Sequence, residues 1–206
     1  MTDVSSRLTP LAVMALGVLR EGAMHPYEMM RLMRQRRDDR LVAIAGGTFY
    51  NTISRLERWG LVEEVGVDRA GNRPERTTYA VTDAGIAAAD DWIRRELPRI
   101  DRLAEFRVAL SEAHDLSRDE ASALLADRRR ALQSELDDTR DSLEDAISRD
   151  VPLQYLIDGE REVALLEAEI AWHDAIIARF DDHTIPWGEH AAHSHDVSAH
   201  RKGPRT

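Results

Sequence analysis

The sequence predicts a mainly α-helical chain with one small β-hairpin, and three observations carry that prediction. Helix-start and helix-stop signals recur at short intervals through the first hundred residues. Two strand-like runs flank a Gly-Asn turn between residues 61 and 81. Two long stretches with apolar side chains at helical spacing then fill residues 117–180.

The first helix is expected over residues 10–21, opened by Thr9-Pro10 (a capping hydroxyl, then proline at the first helical position) and ended by Gly22. The second runs over 26–37 from Pro26, with Tyr27, Met30 and Met33 at three-residue spacing. Residues 38–47 read as a polar link, a short apolar run and a Gly-Gly turn. A third helix over 48–59 closes at Gly60. Strands follow at 61–67 and 77–81, around the tip DRAGNRPER. Thr82 caps a fourth helix that reaches Leu97 and stops at Pro98. Three helices, a hairpin and a helix is the order of a winged helix-turn-helix.

In that fold the third helix reads DNA, and its faces divide accordingly. At 100° per residue Phe49, Ile53 and Leu56 form one side; Asn51, Ser54, Arg55 and Arg58 form the other. Asn and Ser donate to and accept from base edges, and arginine binds phosphate. A solvated helix face is the plain alternative. The hairpin favours the DNA reading, because Arg69, Asn72, Arg73 and Arg76 crowd its tip beside that helix.

Overall charge looks unsuited to such a role until it is divided. The chain carries 28 basic and 38 acidic residues, a net charge of −10. Residues 1–97 hold 14 of each sign, so all the excess acidity lies in residues 98–206. With 43% hydrophobic residues a packed core is expected, and the absence of cysteine excludes disulfides and thiolate chemistry. The apolar run 11–19 is too short to span a bilayer and lacks the pattern of a signal peptide, so a cytoplasmic protein is expected.

The runs LTPLAVMALGVL, HPYEMMRLM, GGTFYNTISRLERWGLVEE and GNRPERTTYAVTDAG resemble the PadR family of bacterial transcriptional regulators. The matching positions are Thr48, Tyr50, Leu56, Glu57, Gly60, Leu61 and Val62, then Tyr79, Val81, Thr82 and Gly85 in the wing pattern. Many members carry lysine or arginine where this chain has Thr77 and Thr78, which leaves Arg73 and Arg76 as the wing candidates. The resemblance adds Thr48 and Tyr50 to the DNA-binding set. It implies a homodimeric, ligand-responsive repressor on a palindromic operator, released by a small aromatic or drug-like effector. A helical interaction module whose winged domain contacts protein is the rival reading, and salt-dependent DNA binding separates the two.

The second half opens with Ser117-Arg-Asp-Glu120, a capping box, before a helix expected over 117–148. A second long helix is expected over 153–180. There Leu156, Val163, Ile170 and Ile177 stand seven apart, as do Leu166, His173 and Phe180, with Glu162, Glu167, Glu169 and Asp174 alongside. This heptad seam is the expected dimer interface; with the strip Leu165, Trp172 and Ile176 beside it, so wide an apolar face needs both the 117–148 helix of its own chain and a second protomer as cover, a simple intrachain hairpin being the alternative. His173 in the seam reads as a packed interface residue or as a pH switch. Trp59, Trp92 and Trp172 are candidates for an effector pocket, with large core residues as the alternative. The expected division is 1–97 for DNA binding, 98–182 for dimerisation and effector response, and 183–206 for a disordered His-rich tail. His190, His193 and His195 fall in that tail, so no metal site is expected. No phosphate loop, H-E-x-x-H or G-x-S-x-G is present, so neither catalysis nor a cofactor is expected.

Overall fold

The computed structural model describes residues 4–68 and 76–187. The elements are α1 (Pro10–Arg20), α2 (Pro26–Gln35), α3 (Gly46–Arg58), β1 (Val62–Asp68), β2 (Arg76–Val81), α4 (Asp83–Glu96), α5 (Leu103–Glu112), α6 (Arg118–Ser148) and α7 (Ile157–Asp181). Helices dominate, and β1 and β2 pair antiparallel as the two-stranded wing. The fold class is therefore the winged helix-turn-helix with long C-terminal helices that the sequence predicts.

Helix α1 is the axis of the N-terminal half. Ala12, Val13, Met14, Ala15, Leu16, Val18 and Leu19 are all buried, which explains the run that superficially resembled a membrane segment. A helix apolar on every side belongs inside a core. Around it pack Met29, Met30 and Met33 from α2, Phe49, Ile53 and Leu56 from α3, and Trp92 and Ile93 from α4. Among the described residues no helix is long and apolar enough to cross a membrane.

Local chemistry accounts for the motif positions around the wing. Thr82 Oγ1 accepts from the Gly85 amide at 3.1 Å and donates to the Gly60 carbonyl at 2.8 Å. A Cβ on Gly85 would stand 2.1 Å from the Leu61 carbonyl oxygen, so only glycine lets α4 pack this closely against the start of β1. Gly60 ends α3 with φ +69°, a left-handed turn at no steric cost. Met24 joins the sheet by exchanging backbone hydrogen bonds with Tyr79 at 3.0 and 3.1 Å.

Three elements depart from expectation. Helix α3 begins at Gly46, so the expected Gly-Gly turn is its first helical turn, where the amide groups need no helical acceptor. Helix α5 was not expected. Its buried residues Phe106, Val108 and Ala109 do not fall on one clean stripe, because it is sandwiched between α1, α4 and the long helices. In the capping box, Ser117 accepts from the Glu120 amide at 3.3 Å, but the Glu120 carboxylate turns to Arg94 Nε at 2.6 Å.

The heptad seam of α7 is packed inside the chain. Leu156, Leu166, Ile170, His173 and Phe180 are buried within one chain, with Val163 and Ile177 partly buried beside them. Leu166 and Ile170 pack on Leu132 and Leu136 of α6. The flanking acids pair in the same chain: Arg128 with Glu169 at 2.6 Å, Arg129 with Asp174 at 2.9 Å and Arg140 with Glu167 at 2.5 Å. A heptad repeat records that a helix has a packed stripe; it does not record whether the partner helix belongs to the same chain. What α7 leaves exposed is its outer face, with Ile157, Leu165 and Trp172, Ala168 between the last two and Ala175 one turn beyond.

His173 is fully buried, stacked at 6.0 Å on Phe106, with Nδ1 2.8 Å from the Glu169 carbonyl. Burial holds its pKa below the usual histidine value, and Arg128 adds to that; the Glu169 carbonyl bond and the charges of Glu169 and Asp174 oppose it. The folded state therefore prefers neutral imidazole. As pH falls through about 6.5 the unfolded chain gains a proton that the folded chain refuses, and stability declines. His173→Gln is expected to flatten that decline, measured as the difference in melting temperature from wild type between pH 7.5 and 5.5.

The segment expected as tail from residue 183 is packed as far as Trp187. Trp187 Nε1 donates to the Leu116 carbonyl at 2.9 Å, its ring meets Phe180 edge-on, and the Ile185 carbonyl accepts from Arg118. His190, His193 and His195 lie outside the described residues.

Candidate nucleic-acid interface

Helix α3 lies on the core through Phe49, Thr52, Ile53 and Leu56. Thr52, which the sequence reading left unassigned, is buried and donates to the Thr48 carbonyl at 2.9 Å. Burying that side leaves Gly47, Asn51, Ser54 and Arg58 in an exposed row, one turn after another. Arg58 Nε donates to the Ser54 carbonyl at 3.3 Å, which holds its guanidinium along the row.

The start of α3 is open. Side chains cap α1 (Thr9), α2 (His25), α4 (Thr82) and α6 (Ser117), but Ala45 gives α3 no side-chain cap. Gly46 and Gly47 have no atom within 4 Å of where a Cβ would stand, and Thr48 is exposed. Uncapped amides at the positive end of a helix, with no side chain in the way, suit a phosphate oxygen.

The flanks differ. Tyr50 is 43% exposed on the wing side, edge-on to His25 at 6.3 Å, over a cavity of about 210 Å³ that also touches Ser54, Thr77 and Tyr79. Burial raises the Tyr79 hydroxyl pKa, with Glu57 and Glu64 adding to it, so it stays a neutral donor. On the other flank Thr48, Asn51 and Arg55 border an apolar groove of about 500 Å³ with Leu11, Leu41 and Val42. Arg55 is half-buried, because its guanidinium lies over the Trp59 ring at 5.3 Å. It is therefore set back from the Asn51–Ser54–Arg58 row, which the face arithmetic alone did not distinguish.

Of the wing candidates, Arg76 opens β2 opposite Asp68, and Arg73 lies outside the described residues. The three tryptophans do not converge. Trp92 is core at 2% exposure, Trp59 lies under Arg7 and Arg55, and Trp172 is 40% exposed on α7. None of them borders the groove beside Arg55, the cavity under Tyr50 or the cavity between α1 and α5. The alternative reading, large packing residues, fits Trp92.

Residues 15–91 match the Transcriptional regulator PadR-like family. The Negative transcriptional regulator PadR of Bacillus subtilis (strain 168) is 25% identical over 174 residues, covering 81% of this chain and 94% of its own length. The crystal structure of Bacillus subtilis PadR in complex with operator DNA shares 22% identity, covers 84% of this chain and 99% of its own, and has a TM-score of 0.41. The same protein in complex with p-coumaric acid shares 21%, covers 84% and 99%, and has a TM-score of 0.38. The segment similar to this family of transcriptional regulators thus runs from within α1 to within α4 and takes in α2, α3, β1 and β2, the winged helix-turn-helix half of the chain.

Proposed function

We propose that this regulator is a homodimeric repressor that holds a palindromic operator with two copies of α3 and leaves it when a small molecule binds. The observation that carries the reading is the exposed Asn51–Ser54–Arg58 row on a helix whose other side is locked in the core. Asn51 and Ser54 reach base edges, Arg58 reaches a guanine or a phosphate, and the open start of α3 with Thr48 takes a backbone phosphate. Tyr50 and Arg55 lie on opposite flanks of that row, and Arg73 and Arg76 extend the grip through the wing. The name of the curated relative, a negative regulator, supports repression. Chromosomal DNA as the partner places the work in the cytoplasm.

Dimerisation supplies the second copy of α3, and the outer face of α7 supports it. Ile157, Leu165 and Trp172 are 63%, 47% and 40% exposed on one side of one helix, a row that an isolated chain leaves in water. The surface proposed for pairing is thus this face, in place of the seam. An effector shifts such a dimer only by binding the released arrangement more tightly than the DNA-bound one.

Selection of bound DNA from a random duplex pool tests the function. The expected product is an inverted repeat whose half-sites are centred about one helical turn, roughly 10 base pairs, apart. Enrichment of no sequence, with binding that ignores salt, would instead place a protein on the winged domain.

A further inference from the structure

A third cavity, of about 400 Å³, opens between α1, the turn after α2 and the end of α5. Met14, Gly17 and Val18 form its apolar floor, and Asp38 and Glu112 stand in its walls. The Glu112 carboxyl reaches across from α5 to the backbone of α1. A Cβ on Gly17 would come within 2.1 Å of its Oε2, so the contact exists because residue 17 has no side chain. The carboxyl is partly buried in the cavity wall, and no hydrogen bond to it is made among the described residues.

The charges around it are unbalanced. Arg36 is committed to Glu21 through both terminal nitrogens, one of them at 2.7 Å. Arg20 is committed to Asp90 and, at 3.2 Å, to Asp115. His114, on the rim, stands 3.9 Å from Asp115. Asp38 and Glu112 have no ion pair of their own among the described residues. Burial, then repulsion from Asp115 and Asp38, raises the Glu112 pKa to about 8 against the pull of Arg20 and Arg36. At neutral pH it is mainly the uncharged acid.

We propose that this cavity binds an organic cation, its ammonium group between Glu112 and Asp38 and its apolar body on Met14, Gly17 and Val18. A carboxylate ligand would meet Asp38 and Glu112, while the Arg36 guanidinium in the wall already has both terminal nitrogens on Glu21. A metal ion is a poor fit, since the described residues contain no group of three ligating side chains spaced to hold one. On binding, Glu112 gives its proton to the solvent and the carboxylate pairs with the ammonium; no covalent bond changes. The walls come from the winged helix on one side and from α5, which leads into α6, on the other, so an occupant bridges both halves of the chain. That regulatory consequence rests on the ligand-responsive reading above; the binding itself does not.

Calorimetry of the full chain with phenethylammonium tests it, with phenylacetate and 2-phenylethanol as partners of similar shape. Only the ammonium is expected to bind. Comparison of two buffers of different ionisation enthalpy at pH 7 should give close to one proton released per ligand, and affinity should rise about tenfold per pH unit up to 8 before levelling. Glu112→Gln should abolish the release and weaken binding at pH 8 at least tenfold. Asp38→Asn should weaken binding while keeping the release, and it carries the test with the wild-type proton count if Glu112→Gln fails to fold. No binding of phenethylammonium at millimolar concentration, equal binding of phenylacetate, or a proton released by well-folded Glu112→Gln overturns the proposal. Because no DNA is present, such a failure leaves the operator reading intact, and failure of operator selection leaves this one intact.

Discussion

Arg128→Ala is expected to destabilise the chain by about 3–5 kcal/mol, the usual result of removing one partner of a buried ion pair. Arg128 is 1% exposed, with Nη2 2.6 Å and Nε 3.2 Å from Glu169 Oε1 and Nη1 bound to the Arg99 carbonyl. Its guanidinium also lies 3.6 Å from the centre of the Phe106 ring. One side chain thus joins α5, α6, α7 and the turn after α4. Alanine leaves a carbonyl and a carboxylate without their donor and opens a cavity beside Phe106. For a chain of this size the loss corresponds to a fall in melting temperature of roughly 6–20 °C. Arg128→Met with Glu169→Leu removes both charges and keeps most of the volume, so it should melt well above the single variant. A single variant that melts like wild type would show the pair to be idle.

Leu165→Glu with Trp172→Glu is expected to separate the protomers while leaving each one folded. Both residues lie at the surface of the single chain, at 47% and 40% exposure, so the substitution puts no charge into its core. In a dimer built on this face, a central aromatic residue and its neighbour are worth about 2–4 kcal/mol or more, which weakens association a hundredfold or beyond. Sedimentation at micromolar concentration checks this. A folded double variant that stays dimeric would move the interface elsewhere. Glutamates at Val163 and Ile170, the choice that the heptad suggests, should instead unfold the chain, because Ile170 packs against Leu132 and Leu136 of α6.

The N-terminal half was largely legible in the sequence because its signals are local. Thr9-Pro10, Thr82 and Ser117 cap the helices they were expected to cap, and the Phe49, Ile53 and Leu56 stripe of α3 is buried as its period requires. What was not legible depends on tertiary packing. No local pattern distinguishes an α7 stripe that meets α6 of its own chain from one that meets another copy. Arg55 has the same chemistry as Arg58, and only the neighbouring Trp59 sets it back from the row. Nothing local marks Glu112, because only the fold brings Gly17 of α1, far away in the sequence, beneath its carboxyl.

The central claim is that α3 reads DNA through its exposed row, and the direct measurement is the affinity of Asn51→Ala and Arg58→Ala for the selected operator and for a scrambled duplex, alongside a thermal melt. Both side chains are exposed, so both variants should melt with wild type. Asn51→Ala should lose about 1–3 kcal/mol of operator preference per half-site and relax the choice of base at one position in each half. Arg58→Ala should do the same if its partner is a guanine, or weaken both duplexes alike and shallow the salt dependence if its partner is a phosphate. Variants that melt normally and keep wild-type affinity for both duplexes would contradict the account.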